Sequence, residues 1–379
     1  LQYRSLGKTG MTVSALGFGC MRLPVVNNDA ARIDETEATK MLHYAIDRGV
    51  NYVDTAYPYH KGESENFVGR ALRGGYREKV FLTTKMPTWL TEKYADFPKY
   101  LDEQLAKLQT DYLDVYLLHG LTKTRWQKIR ELGVLDFAAD AVREGKVKHI
   151  GFSFHDDLAT FKAIIDAHDW ELCQIQLNFM DETYQAGVEG LQYAGARGIP
   201  VVVMEPLRGG KLAGNVPAEV RAIWDKSPLR RSPAEWAYRW VYNFPEVSTV
   251  LSGMSAFDQV VENVEIFDRA APSVMTPAEK ALVREVQDIY HSKMKVGCTA
   301  CGYCLPCSSG VDIPGVFSLY NNASMYDSLP DSAAWYRERI KQNTDVSCCV
   351  ECRRCEAACP QKIEITRRLK EAHAAFTAE

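Results

Sequence analysis

Between residues 13 and 267, short apolar runs alternate with longer stretches whose apolar positions recur every three or four residues. The short runs read as strands at 13–20 (VSALGFGC), 51–54 (NYVD), 80–84 (VFLTT), 113–118 (LDVYLL), 148–152 (KHIGF), 172–177 (LCQIQL), 200–204 (PVVVM) and 248–252 (STVLS). The longer stretches predict helices at 35–48, 64–73, 98–108, 134–144, 158–167, 184–197 and 257–267, because that spacing puts apolar residues on one helical face. Gly49 and Gly198 follow two of these helices and supply their stop signals. Strands alternating with helices in this way fit a parallel (β/α)8 TIM barrel, with an open doubly wound sheet as the alternative. A second pattern follows, a helical stretch at 276–294 leading into a tail rich in cysteine. The expected organisation is therefore a barrel over 1–275 and a helical linker with a small α+β domain over 276–379.

Composition narrows the picture. The chain has 379 residues, 46% of them hydrophobic and 25% charged, which suits a folded protein with a sizeable core. A net charge of −4 gives no reason to expect nucleic acid or an anionic membrane as partner. No apolar run is long enough for a bilayer span and no apolar signal core opens the sequence, so a cytoplasmic location is expected. A dinucleotide site of the G-x-G-x-x-G kind is unsupported, since Arg22 stands where Gly17-Phe18-Gly19 would need its third glycine.

In a barrel, polar groups at the C-terminal ends of strands are the first catalytic candidates. Asp54, Lys85 and His119 each follow an apolar run, and Tyr57 and Tyr59 lie just beyond Asp54 in D-T-A-Y-P-Y. A phenol is too weak an acid to give up its proton readily at neutral pH. A neighbouring ammonium is expected to lower its pKa, an Asp to hold that ammonium, and a neutral His to orient a carbonyl oxygen.

On these residues the chain resembles the aldo-keto reductase superfamily. The resemblance rests on D-T-A-x-x-Y at 54–59, Lys85, His119 and the first strand V-S-A-L-G-F-G-C-M-R at 13–22. It implies hydride transfer between NAD(P)H and a carbonyl or alcohol, with Asp54, Tyr59, Lys85 and His119 as the catalytic set and Tyr59 the acid. It also implies that Ser153 and Gln174 bind the nicotinamide carboxamide, although Phe154 replaces the family's Asn and Met204 its stacking aromatic. Leu207, Gly209 and Lys211, in L-R-G-G-K-L, would meet the pyrophosphate. Gly253, Ser255, Gln259, Glu262 and Asn263 would meet the adenosine half. Because Gly253, Ser255 and Gln259 carry no cation for a 2′-phosphate, the sequence favours NAD over NADP, unless Lys211 or Arg208 compensates. The two departures at the nicotinamide leave room for a flavin.

Nine of eleven cysteines fall in the tail, in C-T-A-C-G-Y-C-L-P-C at 298–307 and C-C-V-E-C-R-R-C-E-A-A-C-P at 348–360. The spacing Cys349-x2-Cys352-x2-Cys355-x3-Cys359-Pro360 resembles bacterial ferredoxins, in which the fourth cysteine serves the other cluster. The resemblance implies two 4Fe–4S clusters, one on Cys298, Cys301, Cys304 and Cys359, the other on Cys349, Cys352, Cys355 and Cys307. A single cluster or a zinc site are the alternatives. Cys348 is left over as a small buried residue, Cys20 and Cys173 belong to the core, and V-D-I-P at 311–314 and I-E-I at 363–365 are expected to form short strands. The whole reads as an oxidoreductase with a carbonyl or alcohol substrate. Its clusters would serve structure or exchange electrons with a protein partner. The competing reading is an electron-transfer or redox-sensing protein on a barrel scaffold, or a flavin-linked reductase.

Overall fold

Ten strands and fifteen helices are seen in the computed structural model, which describes every residue except 215, 299 and 379. An antiparallel hairpin, β1 (Tyr3–Ser5) and β2 (Thr12–Ser14), comes first. Eight parallel strands then close into a barrel: β3 (Leu16–Gly19), β4 (Tyr52–Asp54), β5 (Phe81–Met86), β6 (Leu113–Leu121), β7 (Val147–Phe154), β8 (Leu172–Gln176), β9 (Val201–Met204) and β10 (Val247–Ser252). Closure comes from β10 pairing with both β9 and β3. Between and after these strands the chain forms α1 (Glu35–Asp47), α2 (Ser64–Ala71), α3 (Asp96–Leu108), α4 (Lys123–Glu131), α5 (Val134–Arg143), α6 (Leu158–Asp166), α7 (Gly187–Gly195), α8 (Ala218–Trp224), α9 (Pro233–Tyr242) and α10 (Phe257–Asp268). The (β/α)8 expectation is met; the run at 13–20 divides into the end of the hairpin and the first barrel strand.

The strands are apolar on both faces because the barrel interior takes one side and the helices the other. Leu6, Met11 and Val13 of the hairpin pack with Tyr52, Val115, Leu117, Leu172, Val202 and Leu251 from the strands. The hairpin therefore joins the interior core of the barrel. Cys20 and Cys173 are fully buried, as expected of core residues.

The chain divides into two compact units, Leu1–Gly209 with Glu235–Met275, and Gly210–Ala234 with Thr276–Glu379. In the second, α11 (Pro277–Ser292) begins with a reciprocal cap: Thr276 accepts from Glu279 N–H at 3.2 Å, and the Glu279 carboxylate accepts from Thr276 N–H at 2.7 Å. The cysteine runs are interleaved with α12 (Ile313–Met325), α13 (Leu329–Lys341), α14 (Arg354–Ala358) and α15 (Ile365–Thr377). Val311, Ile313, Phe317, Tyr336, Leu369 and Phe376 form its core, against which Cys298, Cys304, Cys307, Cys349 and Cys355 pack.

Two expectations for the tail are corrected. Neither 311–314 nor 363–365 is a strand: Ile313 opens α12 and Ile365 opens α15. The Asp312 carboxylate accepts from Gly315 N–H at 3.1 Å and Pro314 sits in the first turn, a helix-start signature that outweighs the β-branched run. Cys348 is half-buried, not core, with its thiol 3.5 Å from Asn343 O.

Candidate active site

The parallel register sets Asp54, Lys85 and His119 at the ends of three successive strands, where side chains turn into the barrel mouth. Lys85 is fully buried, and its Nζ donates to Asp54 Oδ1 at 2.7 Å, Thr55 O at 2.8 Å and Tyr59 OH at 3.2 Å. His119 meets Tyr59 edge-on, with ring centres 6.1 Å apart, and Trp89 at 5.2 Å. The Nδ1 of His119 and Oδ2 of Asp54 have no hydrogen-bond partner among the described residues. Tyr57 points elsewhere, toward Tyr100 (5.5 Å) and Lys107 (4.3 Å to its ring).

These contacts set the protonation states. Burial opposes the Lys85 ammonium, but the Asp54 carboxylate and the Tyr59 oxygen together raise its pKa, so it stays charged. Burial raises the Asp54 carboxyl against the pull of Lys85. The Tyr59 phenol is also raised by burial; Lys85 pulls it down while Asp54 acts against that pull. The expected lowering of the phenol is thus corrected, because the charges of Lys85 and Asp54 offset each other and desolvation remains. Burial pushes His119 well below its ordinary range, and Lys85, His155 and Arg125 add to the shift. The result is a protonated phenol beside a fixed cation and a neutral imidazole.

Around this mouth, Ser153 Oγ accepts from Gly120 N–H at 2.8 Å, and Gln174 Nε2 lies 3.5 Å from Met204 Sδ. The Gln174 Oε1 is buried without a partner, an acceptor that suits the N–H groups of a carboxamide. Leu207 and Gly209 follow β9, and Gly209 adopts φ +67°, which favours a residue without Cβ. A Cβ there would stand 3.0 Å from Arg22 Nη2, and one on Gly253 would stand 3.2 Å from the Arg22 side chain. Arg22 therefore spans two segments expected to hold the dinucleotide. Arg208 does not supply a free cation, being paired with Asp181 at 3.0 Å. Lys211 falls in the second unit, its ammonium 5.8 Å from the Tyr326 ring. Beyond β10, Ser255 N–H donates to Gln259 Oε1 at 2.9 Å, and Asn263 donates to Ser252 Oγ at 3.0 Å. Asn263 is thus buried within its own segment, while Glu262 beside it is half-buried.

In the second unit, one cavity is lined by Cys298, Cys301, Cys304 and Cys359. Another, of about 220 Å³, is lined by Cys304, Cys307, Cys349, Cys352 and Cys355. The thiols surround space and, among the described residues, do not converge on a single metal ion. The two runs also share a backbone device. Ala300 and Gly302 have φ +55° and +77°, and Glu351 and Arg353 have φ +54° and +58°. In each run an N–H donates to the sulfur of a cysteine two residues earlier, Ala300 to Cys298 and Glu351 to Cys349, both at 3.4 Å. No disulfide is present among the cysteines.

Residues 15–276 match the sequence model of the aldo/keto reductase family. The chain belongs to that family. Residues 297–364 match a 4Fe-4S dicluster domain. Similar proteins include an oxidoreductase named YrpG from Bacillus subtilis, 27% identical over 76% of this chain and 96% of that protein. A 6-dehydroglucose reductase from Novosphingobium aromaticivorans is 28% identical over 69% of this chain and 89% of its own. Among solved structures, the holo form of aldo-keto reductase AKR11C1 from Bacillus halodurans superimposes with a TM-score of 0.64 at 28% identity, covering 75% of this chain and 96% of that one. An aldo/keto reductase from Klebsiella pneumoniae in complex with NADP and acetate has the same fold, with a TM-score of 0.61 at 24% identity and coverage of 76% and 96%.

In this aldo/keto reductase the mouth is furnished by more than strand ends. Arg22, Trp89, Arg125 and His155 come from loops and from the first turn of α4, where hydrophobic periodicity gives no signal. Trp126, Trp224 and Trp236 are buried, whereas Trp89 is half-buried and faces His119. No helix of the described residues is long and apolar enough to cross a membrane.

Proposed function

We propose that the barrel passes a hydride between a nicotinamide dinucleotide and a carbonyl or alcohol carbon, with Tyr59 giving or taking the proton at oxygen. In the reducing direction the carbonyl carbon gains a hydride, the oxygen gains the Tyr59 proton, and solvent restores it. The reading rests on Lys85, whose ammonium is held by Asp54 and Thr55 and donates to the oxygen of Tyr59. A donor aimed at the phenol oxygen stabilises the phenolate that forms as the proton leaves. Neutral His119 stands across from Tyr59, its ring able to donate to the same substrate oxygen. The nicotinamide supplies the hydride when bound; Gln174 and Ser153 would hold its carboxamide, and Arg22 the pyrophosphate. With Gly253, Ser255 and Gln259 around the adenosine and no cation among them, NAD is the proposed form. The relative named as a 6-dehydroglucose reductase acts on a carbonyl compound by its name, which supports a carbonyl substrate here.

The tail, on this reading, holds two 4Fe–4S clusters, on Cys298, Cys301, Cys304 and Cys359, and on Cys307, Cys349, Cys352 and Cys355. Cys301 and Cys352 are exposed, so each cluster would have an edge at solvent from which single electrons can reach a protein partner.

Tyr59→Phe tests the catalytic assignment. Carbonyl reduction should fall by about 10²- to 10⁴-fold, with nicotinamide binding and iron content unchanged. Unchanged turnover would remove Tyr59 from the chemistry.

A further inference from the structure

Beside the reacting groups lies a cation that the hydride chemistry does not use. Arg125 occupies the first turn of α4, where Thr122 Oγ accepts from its N–H at 3.3 Å. Its Nη1 donates to Gly120 O at 2.9 Å, and its guanidinium lies 5.7 Å from the Trp89 ring centre. Trp89 in turn meets His119. No carboxylate pairs with Arg125 among the described residues. The acid on the adjoining loop, Asp156, is taken up by the N–H groups of Lys123 (2.8 Å) and Asp157 (2.8 Å). Glu205, whose charge reaches His155, faces Arg22 at 3.7 Å.

Gly120 shows how closely these groups gather. It adopts φ +61°, and a Cβ there would stand 3.1 Å from Arg125 Nη1 and 3.8 Å from Cδ2 of His155. Arg125 and His155 thus flank the residue that follows His119. Lys85 is already neutralised by Asp54, so Arg125 leaves the mouth with an uncompensated positive charge. A partly buried guanidinium with one backbone bond retains N–H donors for a planar oxyanion.

We propose that Arg125 is a specificity residue that receives the carboxylate of an oxo acid, placing its aldehyde or ketone at Tyr59 and His119. Trp89 forms the wall between the carboxylate and the carbonyl, against which a short aliphatic chain lies. The inference rests on the carbonyl-reductase reading for its chemistry, but the anion site itself does not depend on turnover.

Two measurements separate the claims. The full-length protein, with its clusters and saturated with oxidised nicotinamide dinucleotide, is titrated with butyrate and with butyramide, following Trp fluorescence or heat. Wild type should bind butyrate about 10- to 100-fold more tightly, as expected of a charge-assisted hydrogen bond. Arg125→Gln should lose that preference, and Arg125→Lys should keep part of it. Equal affinity for acid and amide in wild type, or the same preference in Arg125→Gln, overturns the proposal.

In turnover, 4-oxobutanoate is compared with butyraldehyde. Arg125→Gln should raise KM for the oxo acid by about 10- to 100-fold and leave the uncharged aldehyde within a few-fold. A parallel loss of both substrates in both variants would mean that Arg125 only braces Gly120, and overturns the proposal. Butyrate binding through Arg125 in a protein that reduces neither aldehyde would leave the anion site standing and sink the reductase reading instead.

Discussion

In the barrel mouth, Lys85 is held by three oxygen atoms of its own chain. In the tail, the sulfurs of Cys298 and Cys349 are met by single backbone N–H groups at 3.4 Å. The difference is one of where the organising energy resides. The Lys85 ammonium of the mouth is satisfied within the fold, while His119 Nδ1, Asp54 Oδ2 and Gln174 Oε1 stay buried without a partner among the described residues. The tail has a core of modest size and thiols arranged around cavities, so its order depends on what fills them. A barrel site is built before its ligand arrives; a cluster site is completed by it.

Cys359→Ser tests that contrast with the largest effect. The serine would follow four cysteines of its own run, yet the loss should fall on the cavity lined by Cys298, Cys301 and Cys304. Iron should drop from about eight to about four per chain, and protease resistance of the tail should fall while barrel unfolding stays put. Retention of all iron, or loss of all of it, would break the proposed division of ligands.

The pH profile tests the mouth. An acid that must be protonated to work loses activity as pH rises through its pKa. Burial raises Tyr59, so reduction should hold level through neutrality and decline only above the ordinary phenol range of about 10. Burial and nearby cations lower His119, so it stays neutral and adds no limb near about 6.5. A kcat limb there that vanishes in His119→Asn would show an imidazole that titrates in the working range.

Asp312→Ala carries the smallest effect. The carboxylate caps α12 and pairs with Arg339 of α13, a contact partly open to solvent. Its loss should cost about 1 kcal/mol, read as a small drop in the denaturant midpoint of the iron absorbance. An unchanged midpoint would show that α12 is held by packing alone.

The same contrast explains what the sequence disclosed. Asp54, Lys85 and His119 were legible because strand ends in a barrel face one mouth and hydrophobic alternation marks those ends. Arg22, Arg125 and His155 escaped because they belong to connections, whose course depends on tertiary packing. In the tail, the cysteine spacing pointed to a 4Fe–4S domain, and residues 297–364 match one. Val311, Ile313, Ile363 and Ile365 read as strands because β-branched residues favour extended backbone. Asp312 and Pro314 held the stronger instruction in the first segment; Ile313 and Ile365 became buried first residues of helices, and Ile363 lies outside the helix, partly buried. The Tyr59 pKa was misjudged for a different reason: the dry surroundings were left out, and the carboxylate was counted as holding the cation but not as opposing its pull.

The crossing of ligands in the tail also orders events during synthesis. Cys359 emerges from the ribosome more than fifty residues after Cys304. On the proposed division, an iron donor meeting the nascent protein finds three thiols of the first set with no fourth to close them. Loading of that first set then waits for Cys359, and a message cut short before it yields a barrel whose first cluster cannot be completed.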